Sequence, residues 1–117
     1  MPHTILLVDD DPGILGIGAV MLEECGCVVL TAGSGGAALA KLKQTPEISH
    51  LLTDVQMPGM DGYELAHRAT AIRPGLEVIV TSGTDRTGGG FVFLPNPFSM
   101  TELQSVFGVT CSGLAQA

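Results

Sequence analysis

Tryptophan is absent from this 117-residue sequence, there is one Tyr, and Lys and Arg together number five. Against them stand 12 Asp and Glu, for a formal charge of −7. A nucleic-acid surface needs clustered cations to displace counterions from phosphates. The cations here are scattered, so no nucleic-acid binding is expected of this chain. No apolar run approaches the ~20 residues that cross a bilayer. The stretch before the first acids is too short for a secretion signal. Cytoplasmic residence without membrane contact is the expectation. Cysteine is scarce as well: Cys25, Cys27 and Cys111 make an odd count. Cys25-Gly26-Cys27 lacks the two-residue spacer of redox and zinc motifs. It reads as small apolar residues near a strand start, in a reducing compartment. His3, His50 and His67 show no ligand spacing.

What is present is a 45% apolar chain with 16 Gly, enough for one domain with its own core. Residues 1–117 are read as that domain, with 110–117 a frayed tail or the start of a linker. Thr4–Val8 is a continuous apolar run, as in a strand buried on both faces. Asp9-Asp10-Asp11-Pro12 follows; Pro suits the first turn of a helix and an acid before it suits the N-cap. Ile14, Ile17, Gly18, Met21 and Leu22 repeat at helical spacing up to Glu24, and Gly26 stops the helix. Cys27–Leu30 reads as a second strand. Ser34 is placed to cap a helix carrying Ala38, Leu39 and Leu42. His50–Thr53 reads as strand three. Tyr63–Ile72 reads as a helix, with Leu65, Ala69 and Ile72 on one face. Val78–Thr81 and Phe91–Leu94 read as strands four and five. Between them Ser82–Gly90 lacks apolar periodicity and reads as loop. Ser99 and Glu102 have capping-box spacing before Leu103, Val106 and Phe107, which mark a last helix.

Strands alternating with helices predict a parallel α/β sheet with helices on both faces. In a parallel sheet every strand's carboxyl end lies on one edge. Asp9 and Asp10 follow strand one, Asp54 ends strand three, Thr81 and Ser82 end strand four, and Asn96 follows strand five. These residues therefore converge. Three carboxylates at close range repel, and a hard divalent cation such as Mg²⁺ relieves this with oxygen ligands. The same cation makes a carboxylate workable as a nucleophile toward an anionic phosphoryl donor. A hydroxyl at Ser82 is suited to a phosphoryl oxygen. Capping acids before Pro12 and a turn aspartate at Asp54 are the bland alternatives, and both would have to hold at once. Gly33-Ser34-Gly35-Gly36 lacks the third Gly of a dinucleotide loop. The Asp9-x-Asp11 spacing also fits a small aspartate-dependent phosphatase of the haloacid-dehalogenase type, without that enzyme's cap region or a convincing catalytic Lys.

Ile5-Leu6-Leu7-Val8-Asp9-Asp10-Asp11-Pro12, Thr53-Asp54-Val55-Gln56-Met57-Pro58-Gly59-Met60-Asp61-Gly62, Thr81-Ser82-Gly83 and Leu94-Pro95-Asn96-Pro97-Phe98 together carry a resemblance. Over nearly its whole length the chain resembles a response-regulator receiver domain of two-component signalling. The resemblance implies a flavodoxin-like sheet of strand order 2-1-3-4-5. It implies a phosphoacceptor at Asp54, charged by a histidine kinase or phosphotransfer protein. It implies Mg²⁺ held by Asp10, Asp54 and the Gln56 backbone carbonyl, with Asp9 acting through water. Ser82 and Phe93 match the switch positions, and the output is an unknown downstream protein or fused domain. No enzymatic turnover is implied beyond self-phosphorylation from small donors and autodephosphorylation. There are two departures. Asn96 stands where the family has Lys, for which Arg86 is a distant substitute. Only 14 positions separate Ser82 from Asn96, so the fourth helix is expected shortened or missing. A receiver fold kept as a phosphorylation-independent binding module is the competing expectation.

Overall fold

The computed structural model describes residues 3–82, 91–95 and 102. Its elements run in the order β1 (Thr4–Val8), α1 (Pro12–Glu24), β2 (Val28–Ala32), α2 (Gly35–Gln44), β3 (His50–Asp54), α3 (Gly62–Ile72), β4 (Glu77–Ser82) and β5 (Val92–Pro95). All five strands are parallel, in the order β2-β1-β3-β4-β5. The expected topology is therefore the observed one. The Gly-rich segment 83–90, Arg86, Asn96 and the last predicted helix other than Glu102 lie outside the described residues.

Local chemistry sets the helix starts. Asp11 accepts from the Gly13 and Ile14 N–H groups, with Pro12 in the first turn. Ser34 accepts from Ala37 N–H, and Asp61 from Glu64 N–H. Each cap satisfies donors that have no partner inside the helix. Two apolar layers flank the sheet. Leu6, Val8, Leu51, Val78 and Val80 face α2 and α3, meeting Ala38, Leu42, Leu65 and Ala69. Ile5, Leu7, Leu52, Ile79 and Leu94 face α1, meeting Leu22.

Three expectations need correcting. Strand two starts at Val28, because the Cys27 N–H still turns back to the Leu22 carbonyl at 3.1 Å. On α1 Gly18 and Leu22 are buried and Leu15, Ala19 and Met21 pack partly buried against the same layer, while Ile17 is 66% exposed and Val20 55%. Gly18 lies so close to Leu7 that an added Cβ would sit 2.9 Å from its Cδ2. Ile72, expected on the core face of α3, is likewise exposed.

Candidate functional site

The register explains how distant acids meet. Val8 pairs with Thr53, so Asp9 comes level with Asp54, and Asp54 pairs with Thr81 on the next strand. Side-chain oxygens of Asp9, Asp10 and Asp54 lie within 4.8 Å of one another. The acidic run after β1 divides its labour. Asp9 and Asp10 join the cluster, and Asp11 is taken up in capping α1. The Oδ1 of Asp11, the second acid of the Asp-x-Asp spacing, is occupied by the Gly13 and Ile14 N–H groups.

The three carboxylates sit in different surroundings. Asp9 is 3% exposed, Asp54 is half-buried and Asp10 is exposed. Burial pushes the Asp9 carboxyl up to about 6, and the charges of Asp54 and Asp10 add to this. The Asp11 N–H, 2.9 Å from Asp9 Oδ1, acts against it. Burial also raises Asp54, followed by the Asp10 charge, while the Gln56 N–H at 3.3 Å from Oδ1 lowers it. Like charges held together in a partly dry site are a poor arrangement for an apo protein and a good one for a cation. The donor set is all oxygen, as Mg²⁺ prefers.

The supports of Asp54 come from the following loop. Gly62 at the start of α3 packs against the backbone at the end of β3: an added Cβ would collide with the Asp54 carbonyl and lie 2.8 Å from Val55 Cα. The Gly62 N–H donates to the Val55 carbonyl at 2.8 Å. Only glycine lets helix and strand approach this closely, a demand the local sequence does not reveal. Gly59 adopts a φ of 81°, turning the chain between them. Among the other expected site residues, Ser82 is fully buried at the end of β4. Phe93 is half-buried against the larger core layer. Gln56 is exposed beside Asp54. Asn96 falls outside the described residues. Thr81 is buried, and its Oγ1 has no hydrogen-bond partner among the described residues.

A family model for the response regulator receiver domain matches residues 5–105. The chain belongs to the response-regulator receiver domain family. It is 42% identical over 79 residues to the response regulator receiver protein CpdR of Brucella abortus, covering 68% of this chain and 65% of that one. It is 32% identical over 111 residues to the probable transcriptional regulatory protein TcrX of Mycobacterium tuberculosis, covering 87% of this chain and 47% of that one. The chain thus spans about half the length of TcrX and under two thirds of CpdR. Among solved structures, the receiver domain of the hybrid histidine kinase CckA superposes with a TM-score of 0.81 at 31% identity, covering 93% and 99% of the two chains. A CheY-like receiver protein from Methanospirillum hungatei superposes with a TM-score of 0.86 at 27% identity, covering 99% and 98%. Receiver domains are signalling modules of two-component systems, and those in methylesterases are fused to further domains. No helix among the described residues of this receiver domain is long and apolar enough to cross a membrane.

Proposed function

We propose that this receiver domain is a phosphorylation-operated switch in which Asp54 accepts a phosphoryl group from a histidine kinase or phosphotransfer protein in the cytoplasm. The observation that carries the reading is the clustering of Asp9, Asp10 and Asp54 within 4.8 Å, with Asp54 half-buried and Asp9 nearly inaccessible. An Asp54 carboxylate oxygen attacks phosphorus. The P–N bond of the donor phosphohistidine breaks, and the leaving imidazole keeps the electron pair and takes its proton from solvent. Asp10, Asp54 and the Gln56 carbonyl would hold Mg²⁺, with Asp9 contacting it through water. When bound, the ion screens the incoming phosphoryl charge from the acids. Ser82 meets a phosphoryl oxygen and Phe93 passes the change to the surface. A downstream protein or fused domain reads that surface.

The exposed stripe Ile14, Ile17 and Val20 on α1 begins beside the cluster and supports a protein partner, which needs an apolar anchor near the reacting carboxylate. The test is a small phosphodonor with Mg²⁺, read by intact mass. The native protein should gain one phosphoryl group and Asp54→Asn none. Labelling that persists in Asp54→Asn defeats the reading. Asn96, neutral where the family has Lys, favours a second reading as a phosphorylation-independent binding module. A native protein that takes no label, yet binds its partner with an affinity untouched by Asp54→Asn, would establish it.

A further inference from the structure

Thr81 is 4% exposed, and no partner meets its hydroxyl among the described residues. A buried hydroxyl gives up water and gains nothing in return, so folding alone disfavours it. Thr81 pairs in register with Asp54 on β3 and with Leu94 on β5. Register partners project to the same face of a sheet. On this face Ile79 and Leu94 belong to the apolar layer beneath α1. Val would fill the same volume without a polar atom, so packing does not account for Thr.

The same row accounts for it. Asp9, Asp54 and Thr81 lie level on three adjacent strands. The Thr81 carbonyl also accepts the Val55 N–H at 2.9 Å, which ties β4 to the residue after Asp54. Only backbone N–H groups serve the Asp54 carboxylate among the described residues, those of Gln56, at a long 3.3 Å, and Val55. Three of the four described cations are engaged elsewhere, Lys41 on the Thr31 carbonyl, Arg68 on Glu64, and Arg73 on the Leu42 and Ile48 carbonyls, and the fourth, Lys43, is exposed in the last turn of α2. We propose that Thr81 is a positioning residue for Asp54, its buried hydroxyl donating to the Asp54 carboxylate, directly or through one water, as the phosphoryl group arrives. The inference rests on Asp54 being the acceptor. It gives Thr81 a role apart from Ser82, because a residue level with Asp54 reaches the carboxylate rather than the phosphoryl group beyond it. One oxygen of Asp54 is held, and the other is left to attack.

The experiment uses the full chain as native, Thr81→Val and Thr81→Ser. Acetyl phosphate with Mg²⁺ is the donor, and maximal labelling rate, half-saturating donor concentration and melting temperature are read separately. Thr81→Val should slow the maximal rate by about 10- to 100-fold, the size of one hydrogen bond to a charged group. Its half-saturating concentration should stay put, and its melting temperature should hold or rise. Thr81→Ser keeps the hydroxyl and loses a buried methyl, so it should label near the native rate and melt lower. Rate and stability would then move in opposite senses across the pair. A native rate in Thr81→Val overturns the inference, as do rates that simply follow melting temperature. If the native protein labels, Asp54→Asn does not, and Thr81→Val equals native, only the role of Thr81 falls. If native Asp54 takes no label, the acceptor reading falls and this inference with it.

Discussion

The two ends of the sheet handle polar groups in opposite ways. At the carboxyl end, three carboxylates crowd together and Asp9 is buried among them with its pKa raised to about 6. At the amino end, Arg73 spreads its guanidinium over the carbonyls of Leu42 (2.7 Å), Ile48 (2.7 Å) and Thr45 (3.3 Å). Nearby, Ser49 donates to the Thr4 carbonyl and bonds His50 Nδ1 at 2.7 Å. One end is strained by repulsion, and the other is clamped by hydrogen bonds. Five-residue strands separate them by about 16 Å, far enough for their energies to add independently. The repulsive end is where an ion and a phosphoryl group are expected to act. The clamped end keeps the strands in register while that happens.

The largest effect should come from cutting the clamp. Arg73→Met keeps the aliphatic stem and removes the guanidinium donors to the end of α2 and the loop before β3. The loss should be about 3 kcal/mol, since hydrogen bonds to charged groups are the strong ones and the Leu42 and Ile48 carbonyls lose theirs, while Thr45 keeps the Ile48 N–H. Urea denaturation measures it. Stabilisation by Mg²⁺ should be the same in native and variant; a change there would mean that the two ends are coupled.

Relieving the strained end should have the opposite sign. The Asp9 carboxyl holds its proton to a higher pH when folded than when unfolded. Its contribution is therefore favourable at low pH and is lost as pH rises from about 4 to about 6. Asp9→Asn should accordingly be about 2 kcal/mol more stable than native at pH 7 without metal, with the gain vanishing near pH 4. His50 supplies the contrast. Burial, with the His3 charge, lowers its pKa, so the unfolded chain takes up a proton first as pH falls below about 6.5 and stability is lost. The two ends thus slope oppositely between pH 4 and 6.5. On acidification the native protein should lose less stability there than Asp9→Asn, which lacks the opposing Asp9 slope. Denaturation curves at half-unit pH steps decide it, and equal slopes in the two proteins would remove Asp9 as the cause.

Topology was legible in the sequence because its punctuation is strong. Asp11-Pro12 and Ser34 announce helix starts by their side-chain oxygens, and Asp54 closes an apolar run at a strand end. The acid cluster followed, since parallel strands gather their carboxyl ends. Other features depend on contacts distant in sequence. Gly62 is required by the Asp54 carbonyl, a close approach that only the packed helix creates. Thr81 sits in a strand buried on both faces, where alternation carries no signal that one hydroxyl lacks a partner. Cys27 looked like strand because it is apolar, yet its N–H closes the end of α1.

Helix α1 shows the limit of periodicity most plainly, and it supplies the smallest expected change in stability. Apolar residues occupy nearly all of its circumference, so helical spacing fits Ile14 and Ile17 as well as it fits Leu22. Burial separates them: Leu22 is 0% exposed and Ile17 66%. Leu22 answers to the sheet and Ile17 to solvent or to a partner. Ile17→Lys should therefore shift stability by no more than about 0.5 kcal/mol, as for surface positions generally. The same substitution places a charge on the stripe beside the acid cluster. Labelling of Asp54 by acetyl phosphate, which needs no docking surface, should be unchanged. Labelling by a phosphorylated histidine kinase, which needs one, should slow about tenfold or more, as for loss of an anchoring side chain at an interface. A variant that slows with both donors would move Ile17 from the docking surface into the folding of the site.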